Sequence, residues 1–414
     1  MLANDAFGST QLLTVDARTG ALTRQRFQHC ADDPANYNAL SHELRVDVDR
    51  GDQAAGAAPL GLLTTRYVAR KFDDGTGLGG VAVPTFATRL NASSYVAARF
   101  DEFVGSTVDR WDYLGDADAS AAAGAGGRVA HDANASSPLA TVYDLFDFVD
   151  PVDNPVATST WTTVSLACDV DADDVVDDNG DVALDWTHVS AVSVGTAGNY
   201  LVSLRNLDAV LSLHRNGSGR AWTLSSTDAI ASDFAFERDE AKFYQPHSVA
   251  QLPDGDVILI DSGDDRAGCE ADDGAYARCF TRAVRYRLDA RGGTAKLVWQ
   301  FAYPFELSNR TVDAAGRASL KAALSRDAFN FDGGTVELLA DGRYLVGFTN
   351  TVEGQRAWNP HGDMLLFEVD DAARVRAMMT VPRPTQTGGV RNGGYRTLPW
   401  ESIGGESSQS PLSR

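Results

Sequence analysis

The fold is decided by two similar units that follow one another along the chain. The first reads DWTHVSAV at 185–192 and GNYLVSLRNLDAVLSLHRNGSGRAWTL at 198–224. The second reads FYQPHSVAQLPDGDVILIDSG at 243–263 and TRAVRYRLDARGGTAKLVWQF at 281–301. Each opens on a polar segment with one histidine, continues into alternating apolar residues and reaches a turn rich in Gly or Asp. This pattern predicts consecutive β-sheet modules, and polar residues at the same point of such modules can converge on one pocket.

Turn signals between apolar runs recur along most of the chain. Hairpins with Asp- or Gly-rich turns are predicted in LLTVDARTGALTRQRF, LSLHRNGSGRAWTL, RYRLDARGGTAKLVWQF and LLFEVDDAARVRAMMTV, which start at Leu12, Leu211, Arg285 and Leu365. Further strands are predicted directly after Gly198, Gly255 and Gly342. Equivalent turns recur roughly every 60 to 90 residues, which suits four-stranded blades with insertions. The pattern therefore predicts an all-β fold, a six-bladed β-propeller with a site in its central channel.

The predicted propeller occupies residues 1–400, and within it residues 1–150 are the least readable part. A low-complexity stretch near 116–135 indicates a flexible insertion. The run ASLKAALSRDAF at Ala318–Phe329 predicts a short helix between blades. The tail at 401–414 has the composition of a disordered segment.

The charge balance excludes several classes of partner. The chain has 414 residues and a net charge of −21, whereas a nucleic-acid-binding protein needs clustered Lys and Arg. The same charge opposes binding to an anionic membrane surface, and no apolar run is long enough for a transmembrane helix. An anionic substrate would have to be captured by a few local cations, because the overall field repels it.

Signals for the cellular compartment are mixed. The residues after Met1 show no signal peptide, yet Asn-x-Ser/Thr sequons occur at Asn91, Asn134, Asn216 and Asn309. A start that is incomplete would reconcile the two observations, so we expect a secreted glycoprotein. Cys269 and Cys279 flank one loop and could form a disulfide bond across it in an oxidising compartment, with free thiols as the alternative.

No metal site or cofactor is expected. No cysteine pair has the CxxC spacing of a structural zinc site. The acidic run at 168–185 lacks the glycine and the closing glutamate of an EF-hand, which favours a solvated loop.

Two of the seven histidines, His188 and His247, come at the start of the same kind of predicted strand. In a propeller, the starts of equivalent inner strands ring the central channel. The order DWTHVSAV, LVSLRNLDAVLSLHR, WTL, FYQPH, LPDG and TRAVRYRLD resembles the arylsulfotransferase family, whose members move a sulfuryl group between phenols without the nucleotide donor PAPS. The late segment GGYRTLPW at Gly393–Trp400 is similar to one in eukaryotic-type members.

The resemblance implies a catalytic set in the central channel. His188 and His247 match the two supporting histidines, and Arg282 matches the site arginine. The planar fork of an arginine can pair with two sulfuryl oxygens. The nucleophile of the family is a third histidine that becomes transiently sulfated, and His361 is the histidine available in the corresponding stretch. Candidate substrate-binding residues are Arg205, Asn206, Ser190 and Asn350.

The residue types fit sulfuryl transfer, because a neutral imidazole can attack sulfur and then leave, and a second imidazole can carry the proton. The substrates would be a small aryl sulfate and a phenol, and the oligomeric state stays open.

Ser190 stands where the family commonly has Asn. One alternative is therefore a catalytically impaired propeller that binds a ligand or a protein. A metal-dependent lactonase or hydrolase propeller is a second, although no set of converging acidic residues is evident. Arg282 has an alternative of its own, an ion pair that holds the fold.

Overall fold

The structure is a computed structural model, and it divides the chain into two compact units. It describes residues 2–4, 10–15, 22–28, 40–47, 61–86, 95–112, 140–154, 163–165, 182–195, 198–263, 266, 280–303, 329–330, 333–348, 351–352 and 364–381. The first unit comprises Met1–Pro84, Ala97–Val192 and Arg215–Gly217. The second unit comprises Thr85–Val96, Ser193–His214 and Ser218–Arg414.

The first unit is built around a six-stranded sheet. The first twelve strands, most of whose residues lie in this unit, are β1 (Leu2–Asn4), β2 (Thr10–Val15), β3 (Leu22–Gln28), β4 (Leu40–Asp47), β5 (Gly61–Lys71), β6 (Val81–Phe86), β7 (Tyr95–Phe100), β8 (Glu102–Asp112), β9 (Ala140–Asp144), β10 (Thr163–Ser165), β11 (Val182–Asp185) and β12 (Val189–Val194). The sheet runs in the order β10-β11-β8-β5-β4, and β9 also pairs with β8. Because β11 pairs in parallel with β8, the polar segment after Asp185 leaves the sheet beside the buried residues Phe103 and Val104.

The second unit holds a succession of mainly antiparallel sheets. Its strands are β13 (Tyr200–Leu204), β14 (Ala209–Leu213), β15 (Arg220–Ser225), β16 (Ala235–Phe236), β17 (Pro246–Gln251), β18 (Val257–Asp261), β19 (Thr281–Asp289), β20 (Thr294–Tyr303), β21 (Phe329–Asn330), β22 (Thr335–Leu338), β23 (Tyr344–Phe348), β24 (Thr351–Val352), β25 (Met364–Val369) and β26 (Val375–Val381). Strands β13, β14 and β15 form one antiparallel run. A five-stranded sheet follows in the order β16-β20-β19-β18-β17, and a four-stranded sheet in the order β22-β23-β25-β26. Short 3-10 turns lie at Leu145–Asp147 in the first unit and at Arg205–Leu207 and Asp239–Ala241 in the second.

The four predicted hairpins are confirmed. They are the antiparallel pairs β2–β3, β14–β15, β19–β20 and β25–β26. The turns LPDGD and LADGR also join antiparallel strands, β17 to β18 and β22 to β23. The positive φ of Gly255 and Gly342 in these turns explains why glycine stands there, since residues with a Cβ rarely adopt that conformation. The predicted all-β class is likewise confirmed, whereas the closed six-bladed propeller stays a prediction.

One hydrophobic cluster joins the five-stranded and four-stranded sheets of the second unit. Trp299 stacks on Tyr344 with ring centroids 4.2 Å apart, and Phe301 packs against Phe348 and Phe367. Full burial of aromatic and branched side chains is the main favourable term in such packing. The alternation of apolar residues along β20, β23 and β25 therefore fixes which faces of these two sheets meet.

Two hydrogen bonds also connect the five-stranded sheet to the four-stranded sheet. The backbone N–H of Val336 donates to the hydroxyl of Ser248 at 3.0 Å, and Arg285 donates to the hydroxyl of Tyr344 at 2.8 Å. Ser248 adopts a positive φ of 55°, a conformation that is uncommon without glycine. Its backbone is thus held in place by the sheet that follows.

Several sequence predictions fall outside the described residues. They are the insertion near 116–135, the tail at 401–414, the cysteine pair Cys269 and Cys279, and, apart from Phe329 at the start of β21, the helix at Ala318–Phe329. Most of the acidic run at 168–185 also lies outside, and its last four residues form β11. Among the described helical turns, none has the length and apolar character of a membrane span.

The turn between β25 and β26 is organised by a single carboxylate. Asp370 accepts hydrogen bonds from the backbone N–H groups of Ala372 and Arg374 and from the side chains of Arg374 and Arg376. Its backbone carbonyl accepts from the indole of Trp299 at 3.3 Å. The backbone N–H of Arg374, and then the guanidinium groups of Arg376 and Arg374, lower the pKa of Asp370 from 3.8 to about 2.

We predict that Asp370→Asn makes the free energy of unfolding depend less on pH under acid conditions. Because the folded-state pKa of Asp370 is depressed, its carboxylate stabilises the fold above the unfolded pKa, and this contribution is lost as the pH falls from 3.8 toward 2. Urea unfolding midpoints measured between about pH 5 and pH 2 should therefore fall less steeply in the variant. The control is Asp371→Asn, since no described hydrogen bond ends on the Asp371 side chain. Equal slopes for wild type and Asp370→Asn would contradict this account.

Candidate functional site

His188 is held by a carboxylate three residues before it. The Oδ1 atom of Asp185 accepts the backbone N–H of His188 at 3.2 Å, and Oδ2 pairs with the ring Nδ1. The φ of His188 is 43°, so the turn depends on this double contact. A carboxylate can only accept, so Nδ1 carries the ring proton and the neutral ring keeps its lone pair on Nε2. The His188 side chain is 21% exposed and that of Asp185 only 3%, which leaves the imidazole as the accessible member of the pair.

The residues beside His188 anchor this turn in the first unit. Trp186 is fully buried, donates its backbone N–H to Val104 at 2.8 Å and packs edge-on against Phe103. Ser190, a predicted substrate-binding residue, is fully buried in β12. The motif DWTH is therefore a structural unit in which Trp186 anchors the chain and Asp185 orients the histidine.

His247 is held in a comparable way, within the second unit. It is the second residue of β17 and only 1% exposed. Its Nδ1 lies 3.0 Å from the backbone carbonyl of Gln245 and 3.0 Å from the hydroxyl of Ser262. The carbonyl is an acceptor only, so Nδ1 donates and the neutral ring again carries its lone pair on Nε2.

The LRNLD motif forms the corner that positions Gln245. Asp208 has a positive φ of 49° directly after the 3-10 turn, and its carboxylate accepts the backbone N–H of Gln245 at 2.6 Å. Arg205 and Asn206, both predicted to bind substrate, are buried in that turn, and Arg205 donates to the Asn206 side chain at 3.0 Å. These contacts link the corner to His247 through Gln245.

Arg282 is a buried structural cation. Its Nε donates to Asp261 at 2.7 Å, and Nη1 donates to Gln300 at 2.9 Å. Its Nη2 donates to the backbone carbonyls of Glu240 and Lys242 at 3.0 and 2.7 Å. A guanidinium has five N–H groups, so one is left for any other partner. Of the two roles considered for Arg282, this geometry favours the ion pair that holds the fold.

The strand register shows how the second-unit residues are arranged. Asp261 pairs across the sheet with Arg282, whereas His247 pairs with Ile260. Successive side chains on a strand point to opposite faces, so Arg282 and His247 belong to opposite faces at one end of the sheet. They are joined through the consecutive residues Asp261, which binds Arg282, and Ser262, which contacts His247.

Sequence reasoning missed Asp261 and Arg266. The Asp261 carboxylate is fully buried and accepts from the backbone N–H of Tyr244, from Arg282 and from Arg266. The signal was present, because VILID places a carboxylate at the end of a buried apolar strand and such a charge needs a cation. Arg266 lies in the following loop, which no periodic pattern covers.

Two predicted site residues, His361 and Asn350, lie outside the described residues, as do the sequons at Asn91, Asn134 and Asn309. Asn216 lies in the turn between β14 and β15, the position expected from the sequence. Within the described ranges, no cluster of three or more His, Cys, Asp or Glu side chains is suited to hold a metal ion.

Comparison with protein families identifies the segment that contains these residues. The family described as Arylsulfotransferase (ASST) matches residues 132–306. The predicted family resemblance is thereby confirmed. The match covers somewhat less than half of the chain, and it contains His188, His247 and Arg282 but ends before His361. We refer to residues 132–306 as the ASST segment.

Comparison with individual known proteins is less informative than the family match. No curated protein matches the chain. Solved structures with similarity include a streptogramin B lyase (11% identity, 48% of this chain and 56% of that chain, TM-score 0.21) and virginiamycin B lyase from Staphylococcus aureus (8%, 51% and 62%, TM-score 0.22). A Dos1 propeller matches at 8% identity over 50% of this chain and 51% of that one, with a TM-score of 0.23. The chain thus spans between 51% and 62% of the length of these structures. At such TM-scores these structures do not define the fold, which is established here from the strand pairing alone.

Arg282→Gln should destabilise the second unit strongly. The change removes one of two cations from the buried Asp261 carboxylate, and breaking a buried pair typically costs about 3–5 kcal/mol. Urea unfolding with intrinsic fluorescence would measure the loss. Arg343→Gln is the matched control, because Arg343 is 40% exposed and pairs with the exposed carboxylates of Asp341 and Glu368, so its removal should cost only about 1 kcal/mol. If both variants were equally stable, the structural role of Arg282 would be refuted.

Proposed function

We propose that this chain is an arylsulfotransferase that moves a sulfuryl group from an aryl sulfate donor to a phenolic acceptor, independently of PAPS. The observation that carries the proposal is the ASST segment, which spans both oriented histidines. In the proposal, a six-bladed propeller brings the histidines to its central channel. No cofactor takes part.

The proposed reaction has two balanced steps. In the first, an imidazole nitrogen attacks the sulfur of the donor, the bond from sulfur to the aryl oxygen breaks, and the leaving phenolate takes a proton from a second imidazolium. In the second, the acceptor phenol returns a proton to that imidazole while its oxygen attacks the sulfur. The N–S bond then breaks and its electron pair returns to the first imidazole. Such splitting of one transfer into two is the general advantage of covalent catalysis.

The residues take the following proposed roles. His361 is the nucleophile and becomes a sulfohistidine. His188 and His247 carry protons to and from the phenol oxygens through Nε2, since Nδ1 of each ring is engaged by Asp185 or by the Gln245 carbonyl. Arg205, Asn206, Ser190 and Asn350 are the proposed substrate-binding set. Positioning and charge stabilisation supply most of the rate, as in phosphoryl transfer.

The proposal is tested by incubation with p-nitrophenyl sulfate and phenol in the absence of PAPS. Release of p-nitrophenol that depends on phenol is expected from the wild type and should be lost in His361→Ala. His188→Ala and His247→Ala should each lower the rate by about 10²- to 10⁴-fold, the usual contribution of a general acid or base. His214→Ala, a change in an exposed turn, is the control.

No phenol-dependent release from folded wild-type protein, with several phenols tried, would contradict the proposal and favour the ligand- or protein-binding alternative. Loss of folded protein in His188→Ala or His247→Ala would instead remove the assignment of those two residues.

We further predict that Asp185→Asn lowers kcat and leaves KM nearly unchanged. An amide can present a donor to Nδ1, which stabilises the wrong tautomer of His188, so the rate should fall by about 10²-fold or more. The pH–rate profile should also change shape, because the proton carrier is altered. Asp239→Asn is the control, because the Asp239 side chain is 90% exposed and its described ion pair is with Lys242. A rise in KM together with a pH–rate profile like that of the wild type would contradict a positioning role for Asp185.

A further inference from the structure

Strand β26 is the last strand of its sheet, whose order is β22-β23-β25-β26. It pairs with β25 along one edge, and no other described strand pairs with its outer edge. An open edge of this kind presents a row of backbone N–H and C=O groups to which another strand can bind. The outer edge of β26 therefore offers a site for strand addition.

The corresponding strands of the two preceding sheets are covered by the chain itself. The backbone N–H of Asp233 donates to the carbonyl of Thr223 in β15 at 2.9 Å, and the Asp233 carboxylate accepts the backbone N–H of Thr223 at 2.7 Å. Trp222, also in β15, packs edge-on against Phe234. In the next sheet, β16 pairs in parallel with β20. As far as the described residues show, β26 is the strand of these three that the chain leaves uncovered.

The side chains of β26 leave apolar groups in solvent on both faces of the strand. Four large apolar side chains are exposed in the described part of the chain, and three of them lie on β26: Val375 (38%), Met378 (61%) and Met379 (55%). Met378 lies opposite the buried Phe367 of β25, and Met379 lies opposite the buried Leu366. Apolar surface therefore extends from the interior of the sheet onto both faces of its open edge, as is typical of an interaction site.

The charge pattern favours a second copy of this chain as the partner. The chain carries −21, so two copies repel each other over most of their surface. The hairpin segment 370–381 is neutral, because its charged residues are two aspartates and two arginines. Asp370 holds both arginines, Arg374 and Arg376, in ion pairs within the segment. Two copies can thus approach at this edge without strong repulsion, whereas a highly charged partner would gain little attraction from it.

The sequence of β26 also fits antiparallel pairing with itself. A two-fold axis at Ala377 places Val375 of each copy opposite Met379 of the other, and Arg376 opposite Met378. Apolar residues then face apolar residues across the junction, and no like charges lie directly opposite each other. Such a self-complementary patch is what a two-fold dimer requires.

We propose that β26 forms the interface of a two-fold homodimer, in which the four-stranded sheets of two copies join into one continuous sheet. The backbone groups along the two open edges bond to each other, and Met378 and Met379 are covered on opposite faces. A strand of seven residues makes a small interface, so the dimer is reversible rather than permanent. This inference does not depend on the proposed function.

The test is sedimentation velocity of the full chain over a range of protein concentrations. Wild type should shift from monomer to dimer as the concentration rises. The double variant Met378→Glu/Met379→Glu should dimerise at least about tenfold more weakly, because it places charges where the interface excludes water. Leu78→Glu is the matched control, since Leu78 is the fourth exposed apolar side chain, 74% exposed and outside β26. That variant should dimerise like the wild type.

A second measurement needs no variant. Amide hydrogen exchange in the peptide that contains β26 should slow as the wild-type concentration rises, whereas exchange in the covered strand β15 should stay constant. The proposal would be overturned by a wild type that stays monomeric up to its solubility limit, or by equal effects of the double variant and Leu78→Glu. Dimerisation without concentration-dependent protection of β26 would overturn it too, and this result decides the question if the double variant does not fold.

Discussion

The arrangement of β17, β18 and β19 depends on a fully buried charge, the carboxylate of Asp261. It accepts the backbone N–H that precedes β17 and the guanidinium groups of Arg282 and Arg266, so one side chain joins two adjacent strands and the loop between them. A carboxylate removed from water is costly unless it is paired with cations and hydrogen-bonded. The position of Asp261 therefore dictates where both arginines lie, and Ser262 beside it reaches His247.

The rings of the two histidines are oriented in the same way, although the residues lie in different units. In each, an acceptor fixes the proton on Nδ1, Asp185 for His188 and the Gln245 carbonyl for His247. Both acceptors lie in short turns with positive φ, at His188 and Gln245. Local backbone strain at such positions persists only where surrounding contacts enforce it, and it concentrates at functional sites. The acceptors thus place the proton on Nδ1 and leave the lone pair of each neutral ring on Nε2.

The sequence predicted the strands better than the site. Period-two alternation and Gly–Asp turns were enough to find hairpins such as β19–β20, because both are local signals. His188 and His247 were predicted as site residues because each opens a repeated unit, and that role stays a prediction. Arg282 was found for its motif, but the motif does not show that its donors are used by Gln300 and two carbonyls, since those contacts come from sheet register. Arg266 was missed because its contacts to Asp261, Phe280 and Tyr244 arise only in the folded chain.

We propose that the sulfuryl group passes through a histidine of this chain. The most direct measurement is the mass of the intact protein after brief incubation with p-nitrophenyl sulfate without a phenol, followed by peptide mapping. We expect a mass increase of one SO3 group, located on the peptide that contains His361 and lost when phenol is added. An unchanged mass in protein that releases p-nitrophenol only when phenol is present would contradict the covalent mechanism. A sulfuryl group on a residue other than histidine would contradict it as well.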